Sequence, residues 1–247
     1  MMNRILIAAP IGGKKQYSIL DWLNWIAAQD YPKDLIEVCV CVNGKDNEEV
    51  ADLFRQTSIN YQDGTKKEII TLVLPESSEL SVIQKITYSR EMIRRYAVEK
   101  EFDYIFFLDT DTIPFSKDVL RVLLNHEKEV ISGLYCYKNT KQPVIIDKDT
   151  NTNISFDKCK ELVKNEEITE VWGFGFGCLL LDRSAFKNNA FDYDLFGEER
   201  TDDFGYCHVL EHQGIKRWFD PVVLCKHLVD PCVSPKEHGT KLPFMIK

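Results

Sequence analysis

The sequence predicts an α/β fold: a mostly parallel sheet flanked by helices, folded as a single domain. Three observations predict it. Four apolar runs of strand length, RILIAAP, IEVCVCVN, EIITLVLP and DYIFFLD, are separated by segments with helical periodicity. The runs are apolar at successive positions instead of alternating, as in strands buried on both faces. The chain has 247 residues, 44% of them hydrophobic, enough for one large core.

In chain order, YSILDWLNWIAAQ places Ile19, Leu20, Leu23, Trp25 and Ile26 at helical spacing ahead of Pro32. DNEEVADLFRQ repeats the pattern more briefly between the second and third strands. LSVIQKITYSREMIRRYAVEK carries Ile83, Ile86, Met92, Ile93 and Tyr96 along one face, a long amphipathic helix. Beyond Pro114 the pattern changes. SKDVLRVLLNH predicts a helix capped by Ser116, and EVISGLYCYK a strand. QPVIIDKDTNTNISF predicts a polar hairpin, WGFGFGCLLLD a strand punctuated by glycine, and DDFGYCHVLEHQG a helix ended by Gly214. No internal repeat or low-complexity linker divides the chain. Residues 1–111 form the regular half, 112–228 a more irregular one and 229–247 a tail, in which Pro231 and Pro235 argue against a helix.

The net charge of −8 argues against a broad nucleic-acid-binding face. No apolar run approaches the roughly 20 residues of a membrane helix, and MMNRILIAAP is too short for a secretory signal, so a cytoplasmic protein is expected. Eight scattered cysteines without a CxxC pair are expected to be reduced thiols.

The chemistry concentrates in YIFFLDTDTIP. If the strand continues through it, Asp109 and Asp111, two residues apart, point to one side, and converging carboxylates call for a cation or proton between them. Parallel sheets bind ligands at the carboxyl ends of their strands, where Pro10, Asn43, Gly44 and Asp109 fall.

Three segments, AQDYPKDLIEVCVCVNG, YSREMIRRYAVEKEFDYIFFLDTDT and TDDFGYCHVLEHQGIKRWFDPVVLCKH, in that order, resemble the family 2 glycosyltransferases over roughly residues 4 to 228. The resemblance implies the GT-A fold, with a Rossmann-like nucleotide-binding sheet in the first half and an acceptor site in the second. It implies transfer of a sugar from a nucleotide-diphosphate donor, with a UDP-sugar expected, to an acceptor hydroxyl, with inversion favoured. Mn²⁺ or Mg²⁺ is expected at Asp109, Asp111 and His227, where carboxylate and imidazole donors suit such ions. Pro10, Asn43, Arg90, Asp109 and Thr110 are expected to contact the donor, with Arg94 one turn along from Arg90. The implied base that deprotonates the acceptor is Asp203, with Asp202 as its alternative, in a pair that departs from the family's commoner Glu-Asp. Acids in a first helical turn also offset the helix dipole without any catalysis.

Three other readings stay open. DTDT fits the DxDxT signature of haloacid-dehalogenase-type phosphatases, with Asp109 as nucleophile, although that signature usually follows a first strand. His208-Val-Leu-Glu211-His212 spells the HxxEH of inverted zinc peptidases. A non-catalytic nucleotide-sugar-binding module on the same fold is the third. WGFGFG lets backbone approach a sugar or acceptor, since glycine lacks a Cβ, but its GxGxG spacing is not a dinucleotide fingerprint.

Overall fold

A computed structural model describes residues 3–44, 47–196 and 201–229. The regular half runs β1 (Ile5–Gly12), α1 (Ile19–Ala27), β2 (Ile36–Asn43), α2 (Asn47–Arg55), β3 (Ser58–Asn60), β4 (Lys66–Glu68), β5 (Ile70–Val73), α3 (Val82–Glu99) and β6 (Tyr104–Leu108). It continues with β7 (Thr112–Pro114), α4 (Val119–Asn125), β8 (Val130–Leu134), β9 (Ile145–Ile146), α5 (Phe156–Asn165), β10 (Thr169–Val171) and β11 (Gly173–Phe174). Then follow β12 (Cys178–Asp182), α6 (Arg183–Lys187), α7 (Tyr193–Phe196), α8 (Asp202–His212) and β13 (Arg217–His227).

The main sheet has the order β10-β13-β8-β12-β6-β1-β2-β5. Strands β5, β2, β1 and β6 are parallel neighbours, and β13 runs parallel to β8. Between them β12 is antiparallel to both β6 and β8. One edge of the sheet therefore gathers the carboxyl ends of β1, β2, β6, β8 and β13 together with the start of β12. The chain reverses direction across the sheet at β1, which pairs β2 on one side and β6 on the other, the kind of switch point where parallel sheets bind ligands.

Alternate strand residues feed two cores. Ile5, Ile7 and Ala9 pack with Trp22, Ile26 and Phe106, whereas Leu6, Ala8, Cys39 and Cys41 pack with Ile93, Ala97 and Phe107 on the other face. The seven cysteines among the described residues are free and buried. Burial pushes the Cys41 thiol up to about 11, so it behaves as a small apolar side chain. The long helix α3 is fixed at its start by a capping box. Ser81 Oγ accepts from the Gln84 N–H at 3.2 Å, and the Gln84 side chain accepts from the Ser81 N–H at 2.8 Å.

Several elements of the second half differ from the sequence expectation. Asp118, not Ser116, precedes α4, and the Ser116 hydroxyl bonds to the Asp118 carboxylate instead. Helix α5 was hidden within polar sequence because it buries only Cys159 and Leu162, too thin a stripe to show as periodicity. The expected hairpin does form: Asp147 N–H donates to Thr152 O at 2.8 Å and Ile154 N–H to Ile145 O at 2.9 Å, with an antiparallel bridge between Ile146 and Asn153. WGFGFGCLLLD splits into β11 and β12 in different sheets. Tyr135 packs against this stretch: a Cβ on Gly175 would stand 2.0 Å from its hydroxyl oxygen, and one on Gly177 2.8 Å from its ring. The glycines thus make room for a protein side chain. The tail beyond Val229, with Pro231 and Pro235, lies outside the described residues.

Gly133 on β8 is equally confined, its virtual Cβ falling 2.6 Å from Val223 Cγ1 and 2.8 Å from the Val223 carbonyl oxygen. Because backbone cannot yield as a side chain does, Gly133→Ala should cost about 1–3 kcal/mol or more. Urea unfolding that showed no shift in midpoint would contradict this packing.

Candidate functional site

Strand β6 ends at Leu108, and the DTD segment is a tight turn in which Asp109 O accepts from the Thr112 N–H at 2.8 Å. The two acids converge, but through a turn and not along an extended strand. Between them stands a lysine: Lys15 Nζ lies 3.0 Å from Asp111 Oδ1 and 3.9 Å from Asp109 Oδ2. Thr110, expected beside the donor, instead points into the protein, its buried hydroxyl 3.3 Å from Ser18 Oγ.

Asp109 and Asp111 have different surroundings. Asp109 borders a cavity of about 670 Å³, within the range of small-molecule sites. Asp111 is wholly buried. Lys138 meets its Oδ2 at 2.6 Å, Tyr17 Oη approaches the same oxygen at 3.3 Å, and His227 Nε2 lies 3.7 Å from it. Burial alone would raise the Asp111 carboxyl, but His227, Lys15 and Lys138 hold it well below the usual carboxylate range.

The imidazole of His227 is oriented by Cys136, whose carbonyl oxygen lies 2.9 Å from Nδ1. A carbonyl only accepts, so Nδ1 carries a proton and Nε2 is the ring nitrogen turned toward Asp111. Asp109, Asp111 and His227 carry oxygen and imidazole donors of the type that Mn²⁺ and Mg²⁺ accept, but as they stand they do not form a group that could hold such an ion, because Lys15 and Lys138 occupy both Asp111 oxygens.

Arg90 ties the site to the fold. Its Nε donates to Asp202 Oδ2 at 2.6 Å and one terminal nitrogen to Asp109 Oδ1 at 3.2 Å. Its guanidinium carbon lies 5.0 and 5.2 Å from the ring centroids of Phe107 and Phe176. Burial would lower its pKa, but Asp109 and Asp202 raise it, so the cation is permanent. Arg94 faces elsewhere: it pairs with Glu91 at 2.7 Å and bonds to the carbonyls of Phe186 and Lys187.

Helix α8 presents the acidic pair, and the two acids divide. Asp202 is buried against Arg90, whereas Asp203 stays half-buried on the cavity wall beside Asp109 and Tyr135. Burial and the neighbouring Asp202 charge push the Asp203 carboxyl up to about 7, although the Thr201 hydroxyl and the Phe204 N–H donate to it. Pro10 and Asn43 also line the cavity. Asn43 donates from Nδ2 to Ser89 Oγ at 3.0 Å, which leaves its amide oxygen to accept from a ligand.

The structure therefore brings Pro10, Asn43, Arg90, Asp109, Asp202 and Asp203 to one cavity, with Asp111 and His227 behind its wall. Lys15, Lys138, Tyr17 and Tyr135 were missed from sequence. A lysine shortly after the first strand and one in a loop carry no spacing signal; only the tertiary contact reveals them. In the HxxEH segment the Nε2 atoms of His208 and His212 lie 3.0 Å apart, but Glu211 is engaged by Trp172 at 3.1 Å and Arg217 at 3.5 Å. No group of three metal-ligating side chains is found among the described residues. DTDT closes the fourth long strand, and Asp109 is paired with Arg90 and Lys15.

The architecture is GT-A-like, an α/β fold on one main sheet with the cavity at its carboxyl edge. Among solved structures, the chain is similar to the mannosyltransferase PcManGT from Pyrobaculum calidifontis in complex with GDP-Man and Mn²⁺. That match has a TM-score of 0.59 and 15% identity over 93% of this chain and 58% of that one. It is also similar to an S. aureus TarS fragment, residues 1–349, in complex with UDP-GlcNAc, with a TM-score of 0.53 and 15% identity over 88% and 55% of the two chains. A third likeness is to A197 from STIV, with a TM-score of 0.53 and 17% identity over 92% and 86%. At these identities the likenesses show the fold. The chain spans little more than half of the mannosyltransferase and of the TarS fragment. No family model and no curated protein matches the sequence, and no described helix is long and apolar enough to cross a membrane.

The raised value of Asp203 has a consequence for stability. An unfolded Asp titrates near ~3.9, so folding takes up a proton between about pH 4 and pH 7. The stability from this group is full below the unfolded value and is lost as pH rises through about 7. Urea unfolding at about pH 5 and pH 8 should show wild type losing more stability than Asp203→Asn across that interval. Equal losses would mean the carboxyl is not raised.

Proposed function

We propose that the protein is a glycosyltransferase that moves a sugar from a nucleotide-diphosphate donor to an acceptor hydroxyl. The observation that carries this is the division of labour at the start of α8. Arg90 takes Asp202, and Asp203 faces the cavity with a carboxyl held near neutrality. A base poised near the working pH combines sufficient deprotonation with sufficient proton affinity. The donor complexes of the mannosyltransferase and the TarS fragment support the nucleotide-sugar reading.

Asp203 accepts the proton of the acceptor hydroxyl as that oxygen attacks the anomeric carbon and the bond to the diphosphate breaks. A single displacement of this kind inverts the anomeric centre. Pro10 and Asn43, near the ends of the neighbouring strands β1 and β2, hold the base and ribose, with the Asn43 amide oxygen as acceptor. Arg90 holds Asp109 in place through its second hydrogen bond. Asp109, Asp111 and His227 would hold Mn²⁺ or Mg²⁺, which supplies Lewis-acid stabilisation of the departing diphosphate. A UDP-sugar is the proposed donor and a hexosyl group the proposed cargo.

A thermal-shift panel of UDP-, GDP-, CDP- and dTDP-sugars with and without Mn²⁺ should identify a stabilising donor, with UDP-sugars and Mn²⁺ giving the largest shift. With that donor, Asp203→Asn should lower kcat by roughly 10²–10⁴-fold while leaving donor binding intact. The wild-type rate should fall as pH drops below about 7, where Asp203 is protonated. Asp111→Asn should abolish the Mn²⁺-dependent part of the shift. Full activity in both variants would overturn the assignment.

A further inference from the structure

We propose that Lys15 and Lys138 are diphosphate-binding residues held in reserve on Asp111, so that metal and nucleotide diphosphate bind interdependently. This rests on the reading of the cavity as a nucleotide-diphosphate site. Asp111 is 0% exposed and both its oxygens are taken, Oδ1 by Lys15 at 3.0 Å and Oδ2 by Lys138 at 2.6 Å. Lys15 also lines the cavity and reaches toward Asp109 Oδ2 at 3.9 Å. Neither lysine is locked in. Their side chains are 32% and 39% exposed, Lys15 in the 3₁₀ segment Gly13–Ser18 and Lys138 in the loop closed by the Cys136–Pro143 bridge.

Charge explains why such lysines would wait there. Three carboxylates, Asp109, Asp111 and Asp202, face three cations, Arg90, Lys15 and Lys138. A divalent ion approaching Asp111 alone meets two ammonium groups already on its ligand. A diphosphate arriving alone meets carboxylates whose cations are engaged. Together, each ligand removes the other's obstacle: the ammoniums turn to the phosphate oxygens, and the carboxylate they release turns to the metal. A lysine ammonium on a flexible four-carbon stem can make this exchange by rotamer change, which a rigid arginine fork could not do as readily.

The test is Mn²⁺ binding followed by the paramagnetic resonance signal of free Mn²⁺, with and without UDP, in wild type, Lys15→Met and Lys138→Met. Wild type should gain about tenfold or more in Mn²⁺ affinity when UDP is saturating, and UDP should gain equally from Mn²⁺. Each methionine variant should bind Mn²⁺ more tightly than wild type without UDP, and the gain from UDP should shrink. Lys138→Arg keeps the charge and should resemble wild type in UDP affinity while exchanging less readily. Should Lys15→Met fail to fold, Lys138→Met decides the outcome alone, because that lysine is the more exposed of the two. Unchanged Mn²⁺ affinity in the methionine variants, or unchanged UDP affinity, would overturn the exchange. So would UDP affinity in wild type that is as high in EDTA as in Mn²⁺ but lost in the variants, since the lysines would then act without metal. Failure of the underlying reading looks different: no variant and no wild type would bind UDP, GDP or CDP under any metal condition.

Discussion

The buried guanidinium of Arg90 is the constraint around which the site is built. It is contributed by α3, holds Asp109 at the end of β6 and Asp202 at the start of α8, and packs between Phe107 and Phe176. Three elements distant in sequence are thereby fixed to one point. Removing one partner from such a buried network typically costs about 3–5 kcal/mol because the remaining charges stay buried. Its fold contribution and its site contribution cannot be separated, since the same two hydrogen bonds place both acids. One terminal nitrogen, Nη1, is buried without a hydrogen-bond partner among the described residues. An unpaired buried donor is costly, and here it marks the place where the protein alone does not satisfy the cation.

Electrostatic balance then decides what the cavity can accept. Lys15 and Lys138 neutralise Asp111, Arg90 neutralises Asp109 and Asp202, and Asp203 escapes full charge through burial. Lys15, Arg90, Asp109, Asp202 and Asp203 all line the cavity. The ion pairs need not add to stability, because desolvation offsets much of their attraction. Their effect is to keep these acids at a defined place.

The regular half was legible in sequence because its signals are strong and local. Apolar runs such as IEVCVCVN and the face of Ile83, Ile86, Met92 and Ile93 report burial directly, and the strands and helices appear where those patterns lie. The placement of Pro10, Asn43 and Asp109 at strand ends followed from sheet geometry. The second half was less legible because its elements are short and its determinants are tertiary. Tyr135, 42 residues before Gly177, packs against Gly175 and Gly177, which the glycine spacing alone could not disclose. The strand premise for Asp109 and Asp111 failed for a related reason: a turn is set by the Thr112 N–H, and a carboxylate pair in a turn and one in a strand have the same spelling. The two lysines left no pattern at all, because a single cation becomes specific only when the fold brings a carboxylate to it.

The ambiguity between Asp202 and Asp203 shows how one helix can resolve what a motif leaves open. At 3.6 residues per turn, consecutive side chains diverge by roughly 100°, so adjacent acids at a helix start cannot both face one guanidinium. The acid that turns toward α3, Asp202, is captured by Arg90. The other must face the cavity, where burial and its neighbour's charge disfavour ionisation. The capture of Asp202 thus helps to create the conditions that raise Asp203. The ionisation of Asp203 is therefore shaped first by its burial and then by the charge of its neighbour, and the two adjacent acids are unlike groups.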